Sequence, residues 1–237
     1  MIEDSLGGRK HVMHYDTETI PTESEVEEIL RIGYSLSTSK QKSYPYKFYV
    51  LGPDEKRSKQ LWNMAEGRKI DVDFDAYGTT ANDTFYVQNE GLFHLKSAPW
   101  TLIITPRLAP PNKYYKRAFE STGSKWQLEN WEFVNTKNRE SMGIEIGMVA
   151  KAITGAAMDR GWECSYNICF YNDRQKWNFL PYIYQNNKGF RPALMMTLGK
   201  GKKYLYQALS AQDQKDNTDP PFETIFEFVD RKDNEKL

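Results

Sequence analysis

The sequence predicts a single α+β domain, on three observations. Two stretches carry apolar residues at helical spacing, near residues 23–34 and 140–160. Four short runs are rich in β-branched, aromatic or other apolar residues, at 46–51, 98–105, 165–170 and 191–198, and they do not alternate regularly with the helices. No internal repeat and no linker-like segment divides the 237 residues, a length ample for one core.

The first helix has a start written into it. Thr22-Glu23-Ser24-Glu25 places Glu three residues after Thr, a capping-box pattern, with Pro21 just before. Val26, Ile29, Leu30 and Gly33 then recur on one side, so the helix is expected over Glu23–Tyr34. A polar loop, SLSTSKQKS, covers Ser35–Ser43. Tyr46–Leu51 reads as a strand closed by Gly52-Pro53, and a further helix is expected from Asp54 to Ala65. Ala98–Thr105 is a continuous apolar run stopped by prolines 106, 110 and 111, the pattern of a buried strand. Residues 112–140 mix aromatics with charges and read as helices or a lid on one side of the core.

Glu140–Arg160 is the strongest helix. Met142, Ile146, Val149, Ile153 and Ala157 form a stripe, small residues at 150, 152, 155 and 156 invite close backbone approach, and Gly161 ends it. Gly143 and Gly147 lie inside this pattern and read as packing residues. Strands are expected at Ser165–Phe170 and Arg191–Leu198, the latter closed by Gly199 and Gly201. A polar loop and a short apolar strand, Phe222–Val229, finish the chain.

Composition excludes several classes. Aromatics at 14 % are incompatible with a disordered chain. Thirty-two basic residues balance thirty-two acidic ones, which removes the basic excess that nucleic-acid binding asks for. No apolar run is long enough for a membrane span, and the opening MIEDSLGGRK has no apolar h-region, so a cytoplasmic protein is expected. The cysteines, Cys164 and Cys169, have odd spacing and no neighbouring His, which reads as buried structural thiols rather than a metal pair. His11 and His14 read as surface or anion-contact groups. No phosphate loop, dinucleotide fingerprint or nucleophile elbow is present. A basic cluster at Arg9, Lys10 and His11 and late lysines at 200, 202 and 203 are candidates to meet on one anion, such as a phosphate.

The order of these pieces resembles the nitroreductase-like FMN flavoprotein family. Arg9-Lys10-His11-Val12-Met13-His14-Tyr15-Asp16 falls at the family's R-x-S-x-R/K-x-F opening, and IPTESEVEEIL matches its first helix. SLSTSKQKSYPYKFYVL sits at its Ser/Asn/Gln loop and following strand, and SAPWTLIIT at its aP-x-livv strand. GMVAKAITGAAMDRGWECSYNICF is similar to its core helix and strand, FRPALMMTLGKG to its next strand, and DPPFETIFEFVD to its C-terminal segment. The match runs through nearly the whole chain in order.

The resemblance implies one domain over 1–237, with 200–237 as an extended C-terminal segment, a mostly antiparallel sheet flanked by helices, and an intertwined homodimer. It implies an oxidoreductase that carries two electrons from NAD(P)H through FMN to a nitroaromatic, quinone or similar acceptor, with flavin-borne chemistry and no catalytic side chain. The site residues it implies are Arg9, Lys10, His11, Lys202 and Lys203 for the phosphate, and Ser39, Lys42, Asn167, Ile168 and Cys169 around the ring. The departures fall in the same places. Met13 replaces a second cation, Lys42 an amide, and Ile168-Cys169 a Glu-Gly pair, while Thr218-Asp219 stand where a late cation is usual and Lys215 is a candidate substitute. A nitroreductase-fold binding module without redox chemistry is the alternative reading.

Overall fold

The computed structural model describes residues 11–39, 42–53, 97–107, 111–123, 139–167 and 192–204, together with Thr224; for residues 139–141 and 203 it describes the backbone alone. The elements in chain order are β1 (Val12–Tyr15), α1 (Glu23–Leu36), β2 (Tyr46–Leu51), β3 (Trp100–Pro106), α2 (Lys113–Ser121), α3 (Arg139–Met158), β4 (Glu163–Asn167), β5 (Leu194–Gly199) and β6 (Gly201–Tyr204).

The expected capping box forms. Thr22 Oγ1 accepts the Glu25 N–H at 3.3 Å, and the Glu25 carboxylate accepts the Thr22 N–H at 2.8 Å. The helix runs two residues beyond Tyr34, and Ser37 N–H closes it on the Gly33 carbonyl at 3.1 Å. α3 runs to Met158, two residues short of the expected Arg160, and Gly161 closes it as expected. Gly161 takes φ +76°, Trp162 N–H reaches the Ala157 carbonyl at 3.0 Å and Gly161 N–H that of Met158 at 2.9 Å, a Schellman closure.

Four strands pair in the order β2-β3-β5-β4, every pair antiparallel. β3 is buried along almost its full length because it lies between two neighbours and is covered on both faces. α1 and α3 pack together over the face carrying Leu102, Ile104, Met196 and Leu198, with Val26, Ile29, Ile146, Val149 and Ile153 completing the core. Gly33 is where the helices close on each other: a Cβ there would lie 3.1 Å from the Ile153 backbone and closer still to its side chain.

The opposite face carries Thr197 and Ser165 and meets β1, which pairs with β6 in a separate two-stranded ribbon. The ribbon adds one element and corrects one expectation. The opening segment forms a strand, which His14 and shortness concealed, and Gly201 opens β6 rather than closing the strand before it. β4 begins at Glu163, two residues earlier than expected, since Glu163 and Cys164 pair with Gly199 and Leu198. β5 begins at Leu194, because Pro192 has no N–H to give the ladder. Gly143 and Gly147 face outward on α3: among the described residues nothing lies within 4 Å of where their Cβ would be. Within 112–140, α2 is capped by Asn112 and buries no side chain. The expected helix at 54–65 and residues 168–170 lie outside the described residues, as does most of the 200–237 segment; of the expected strand at 222–229 only Thr224 is described, and it is helical rather than extended.

Candidate functional site

The ribbon pairs the strand that follows the N-terminal basic cluster with the strand that carries the late lysines 202 and 203. Val12 stands opposite Tyr204, His14 opposite Lys203 and Tyr15 opposite Gly201, and Asp16 N–H donates to the Lys200 carbonyl at 2.7 Å. His11, half-buried, leads directly into β1. The crossing depends on glycines, because a Cβ at Gly199 would lie 2.7 Å from the Pro99 ring and 2.9 Å from the Tyr15 ring. Glu163 fixes the corner by accepting Gly201 N–H at 2.7 Å and the Tyr204 hydroxyl at 2.9 Å. Burial, then the Glu163 carboxylate, pushes the Tyr204 phenol up to about 12.

Hydroxyls anchor β1 to the sheet. Ser165 Oγ accepts Val12 N–H at 2.9 Å and donates to the Val12 carbonyl at 3.0 Å. The Tyr15 hydroxyl meets Thr197 Oγ1 at 2.9 Å, and complete burial drives that phenol far above its ordinary range, with Cys164 nearby adding to the effect. Tyr15 N–H donates to Ser97 Oγ at 3.0 Å. These bonds fix where the chain enters β1, and so where His11 sits.

The late lysines do not all converge there. Lys200 Nζ caps the Gly161 carbonyl at 3.4 Å. Lys202 is exposed and near Asp16, whose carboxyl is held low first by the Glu18 N–H and in smaller part by the Lys202 charge. Lys203 is placed by its strand position alone. Met13, at the position where the family pattern has a cation, is fully buried.

A second station forms at the start of β2. Ser39 is buried; its carbonyl accepts Lys42 N–H at 3.0 Å and its Oγ accepts Tyr44 N–H at 2.7 Å. Lys42 and Tyr44 are left-handed, with φ 54° and 47°, a conformation costing of order 1–3 kcal/mol each for a residue with a Cβ. Lys42 is exposed. Arg107, just after β3, donates from Nη2 to the Ser43 carbonyl at 2.9 Å and from Nε to the Tyr44 carbonyl at 3.2 Å. Aromatic rings line the turn: Tyr34 and Tyr44 lie 5.0 Å apart by centroid, Tyr44 and Tyr46 6.1 Å, Tyr46 and Phe48 5.7 Å. Burial, then Tyr34, pushes the Tyr44 phenol up to about 12.

Glu145 is the residue the sequence reading passed over. It is buried, and its charge adds to the upward shifts of Tyr44 and Tyr46. Its signal was present: it stands four residues before Val149, on the buried side of α3, where a carboxylate is out of keeping.

Asn167 is buried and shares the Ser165 face of β4, toward β1. Its row across the sheet is Asn167–Met195–Ile103–Tyr49. It therefore lies on the edge strand opposite β2, three strand spacings or about 14 Å from Tyr49, while the Lys42 turn lies off this row, before the start of β2. The structure thus unites Ser39 with Lys42, and His11 with the strand of Lys202 and Lys203, and sets Asn167 on the strand that anchors β1, away from the Lys42 turn. Arg9, Lys10, Ile168 and Cys169 lie outside the described residues. Among the described residues no group of three His, Cys, Asp or Glu side chains is placed to hold a metal, and no helix is long and apolar enough to cross a membrane.

Solved structures share this architecture. A nitroreductase family protein from Streptococcus pneumoniae superposes with a TM-score of 0.59 at 18 % identity, covering 97 % of this chain and 100 % of that one. A Staphylococcus epidermidis protein described as a candidate NAD(P)H:FMN oxidoreductase gives 0.59 at 20 % identity, with 97 % and 96 % covered. A nitroreductase with bound FMN from Desulfitobacterium hafniense gives 0.58 at 9 % identity, with 97 % and 98 % covered. No protein-family model matches the sequence, and no curated protein matches it. The chain has the nitroreductase fold, an α+β fold around a mostly antiparallel sheet.

Proposed function

We propose that the chain is an FMN-dependent oxidoreductase that carries two electrons from NAD(P)H to a nitroaromatic, quinone or similar small-molecule acceptor, in a cytoplasmic setting. The observation that carries this reading is the β1–β6 crossing within a nitroreductase fold, since it runs the strand after the N-terminal basic cluster beside the strand of Lys202 and Lys203. The residues present fit the cofactor at two places. His14 stands opposite Lys203 on the ribbon, which suits a phosphate, and a turn held by Ser39 presents Lys42, a donor-only side chain suited to carbonyl oxygens.

FMN, when bound, supplies the redox chemistry, so no side chain is assigned a catalytic role. Arg9, Lys10, His11, Lys202 and Lys203 would hold the phosphate, with His14 beside them on the ribbon. Within the proposed homodimer, Ser39 and Lys42 of one copy would meet the pyrimidine edge of the ring, and Asn167, Ile168 and Cys169 of the other copy its far side. A homodimer is part of the proposal. Ile144 and Met148 are exposed one helical turn apart on α3, and Gly143 and Gly147 beside them leave open space, which together offer a second copy a flat apolar face.

One observation favours a second reading, a binding module without redox chemistry. Met13 stands buried where the family pattern has a phosphate cation, Lys200 bonds the Gly161 carbonyl and Lys202 lies near Asp16. The test is the absorbance of the purified protein, followed by FMN titration and NADH or NADPH oxidation with a quinone. A yellow protein that oxidises either nucleotide supports the oxidoreductase. A colourless protein that does not bind added FMN overturns it in favour of the module.

A further inference from the structure

The β2–β3 ladder reaches its end at Tyr46 opposite Pro106. Neither Pro45 nor Pro106 has an N–H, so backbone pairing cannot extend unaided into the turn that precedes β2. Arg107 continues it. Its own N–H donates to the Pro45 carbonyl at 2.9 Å, Nη2 to the Ser43 carbonyl at 2.9 Å, and Nε to the Tyr44 carbonyl at 3.2 Å. One residue thereby holds three consecutive carbonyls.

Those carbonyls belong to the turn whose Lys42 and Tyr44 are left-handed. Ser39 holds the same turn from its N–H side, through Lys42 and Tyr44. A turn with two non-glycine residues in this region persists only where its surroundings over-determine it. A guanidinium fork fixes two carbonyls at a set angle, whereas a lysine ammonium is a single point donor.

We propose that Arg107 is a positioning residue, setting the turn that aims Lys42 and through it the ring end of the flavin site; this rests on the flavin reading above. Arg107 touches no flavin in this scheme, because its fork is committed to backbone carbonyls.

The test uses the full-length chain, FMN as probe, and four proteins: wild type, Arg107→Gln, Lys42→Asn and the double variant. Arg107→Gln is expected to raise the FMN Kd about tenfold, the equivalent of losing one to two net hydrogen bonds. Lys42→Asn is expected to make the flavin midpoint potential more negative in the wild-type background and to leave it unchanged in the Arg107→Gln background. That loss of coupling is something a merely destabilising change would not produce. If Arg107→Gln does not fold, as judged by circular dichroism, Arg107→Lys carries the same comparison with a smaller rise in Kd.

Wild-type affinity in the Arg107 variant, or the same Lys42→Asn shift in both backgrounds, overturns the proposal and leaves the flavin reading standing. A wild-type chain that binds no FMN overturns the flavin reading, and the proposal with it.

Discussion

The two sides of α3 are built from similar residues and meet different surroundings. Toward α1 and the sheet, Ile146, Val149, Ile153, Ala156 and Ala157 are buried, and Gly33 of α1 comes so near Ile153 that no side chain fits between. On the other side, Ile144 is 65 % exposed and Met148 47 %, and Gly143 and Gly147 face open space. A glycine thus does two jobs in this pair of helices. At 33 it permits a contact already made, while at 143 and 147 it leaves room that the proposed second copy would use.

Removing bulk tests the contrast most strongly. Ile153→Ala is expected to cost about 2–5 kcal/mol, whereas Met148→Ala, on the exposed side, should stay within about 0.5 kcal/mol in the monomer. Urea unfolding midpoints measure both, and equal losses would erase the distinction between the faces.

Adding bulk is the converse. Gly33→Ala is expected to cost about 1–3 kcal/mol by overpacking against Ile153. Placed in an Ile153→Ala background it should cost much less, since the clashing side chain is gone. A double-mutant cycle reads the coupling, and strict additivity would place the close approach elsewhere.

Gly147→Ala carries the smaller stability effect and bears on assembly. In dilute monomer it should raise stability by about 0.5–1 kcal/mol, as expected for replacing an exposed helical glycine. In the proposed homodimer it should also shift dissociation to higher protein concentration, as followed by sedimentation velocity. An unchanged dissociation profile removes this face from the interface.

The smallest effect lies at the rim of the buried face, where Arg160 bonds Glu28 of α1 at 2.6 Å. The Arg160 hydrogen bond, then its charge, holds the Glu28 carboxyl below the usual carboxylate range. A lowered folded value means the contribution is present above the unfolded carboxylate range and drains away as pH falls through the folded one. Arg160→Gln should therefore narrow the stability difference between neutral and acid pH slightly, and added salt should narrow it likewise. Thermal unfolding from pH 7 down to 3 measures it, and an unchanged acid limb would show the pair to be inert.

Local signals located most of the described elements. Thr22 and Glu25 marked the start of α1, Gly161 the end of α3, and Tyr46–Leu51 and the apolar run to Thr105 the paired strands β2 and β3. These signals are legible because a capping oxygen, a left-handed glycine and a strand's branched residues each act on neighbours within a few positions. The site was legible in part. The basic residues at both ends of the pattern stood out, as did Ser39 and Lys42.

What only the tertiary structure decided was company. Val12 and Ser165 are 153 residues apart and share two hydrogen bonds, and His14 faces Lys203 across a ribbon that neither segment announces. Arg107 holds a turn more than sixty residues earlier, Glu145 lies buried near phenols of β2 and the turn before it, and Gly143 and Gly147 face outward although the same pattern at Gly33 faces in. Periodicity settles which residues can share a face. Whether that face meets a helix, a strand or water depends on long-range pairing, whose partners a local pattern does not contain.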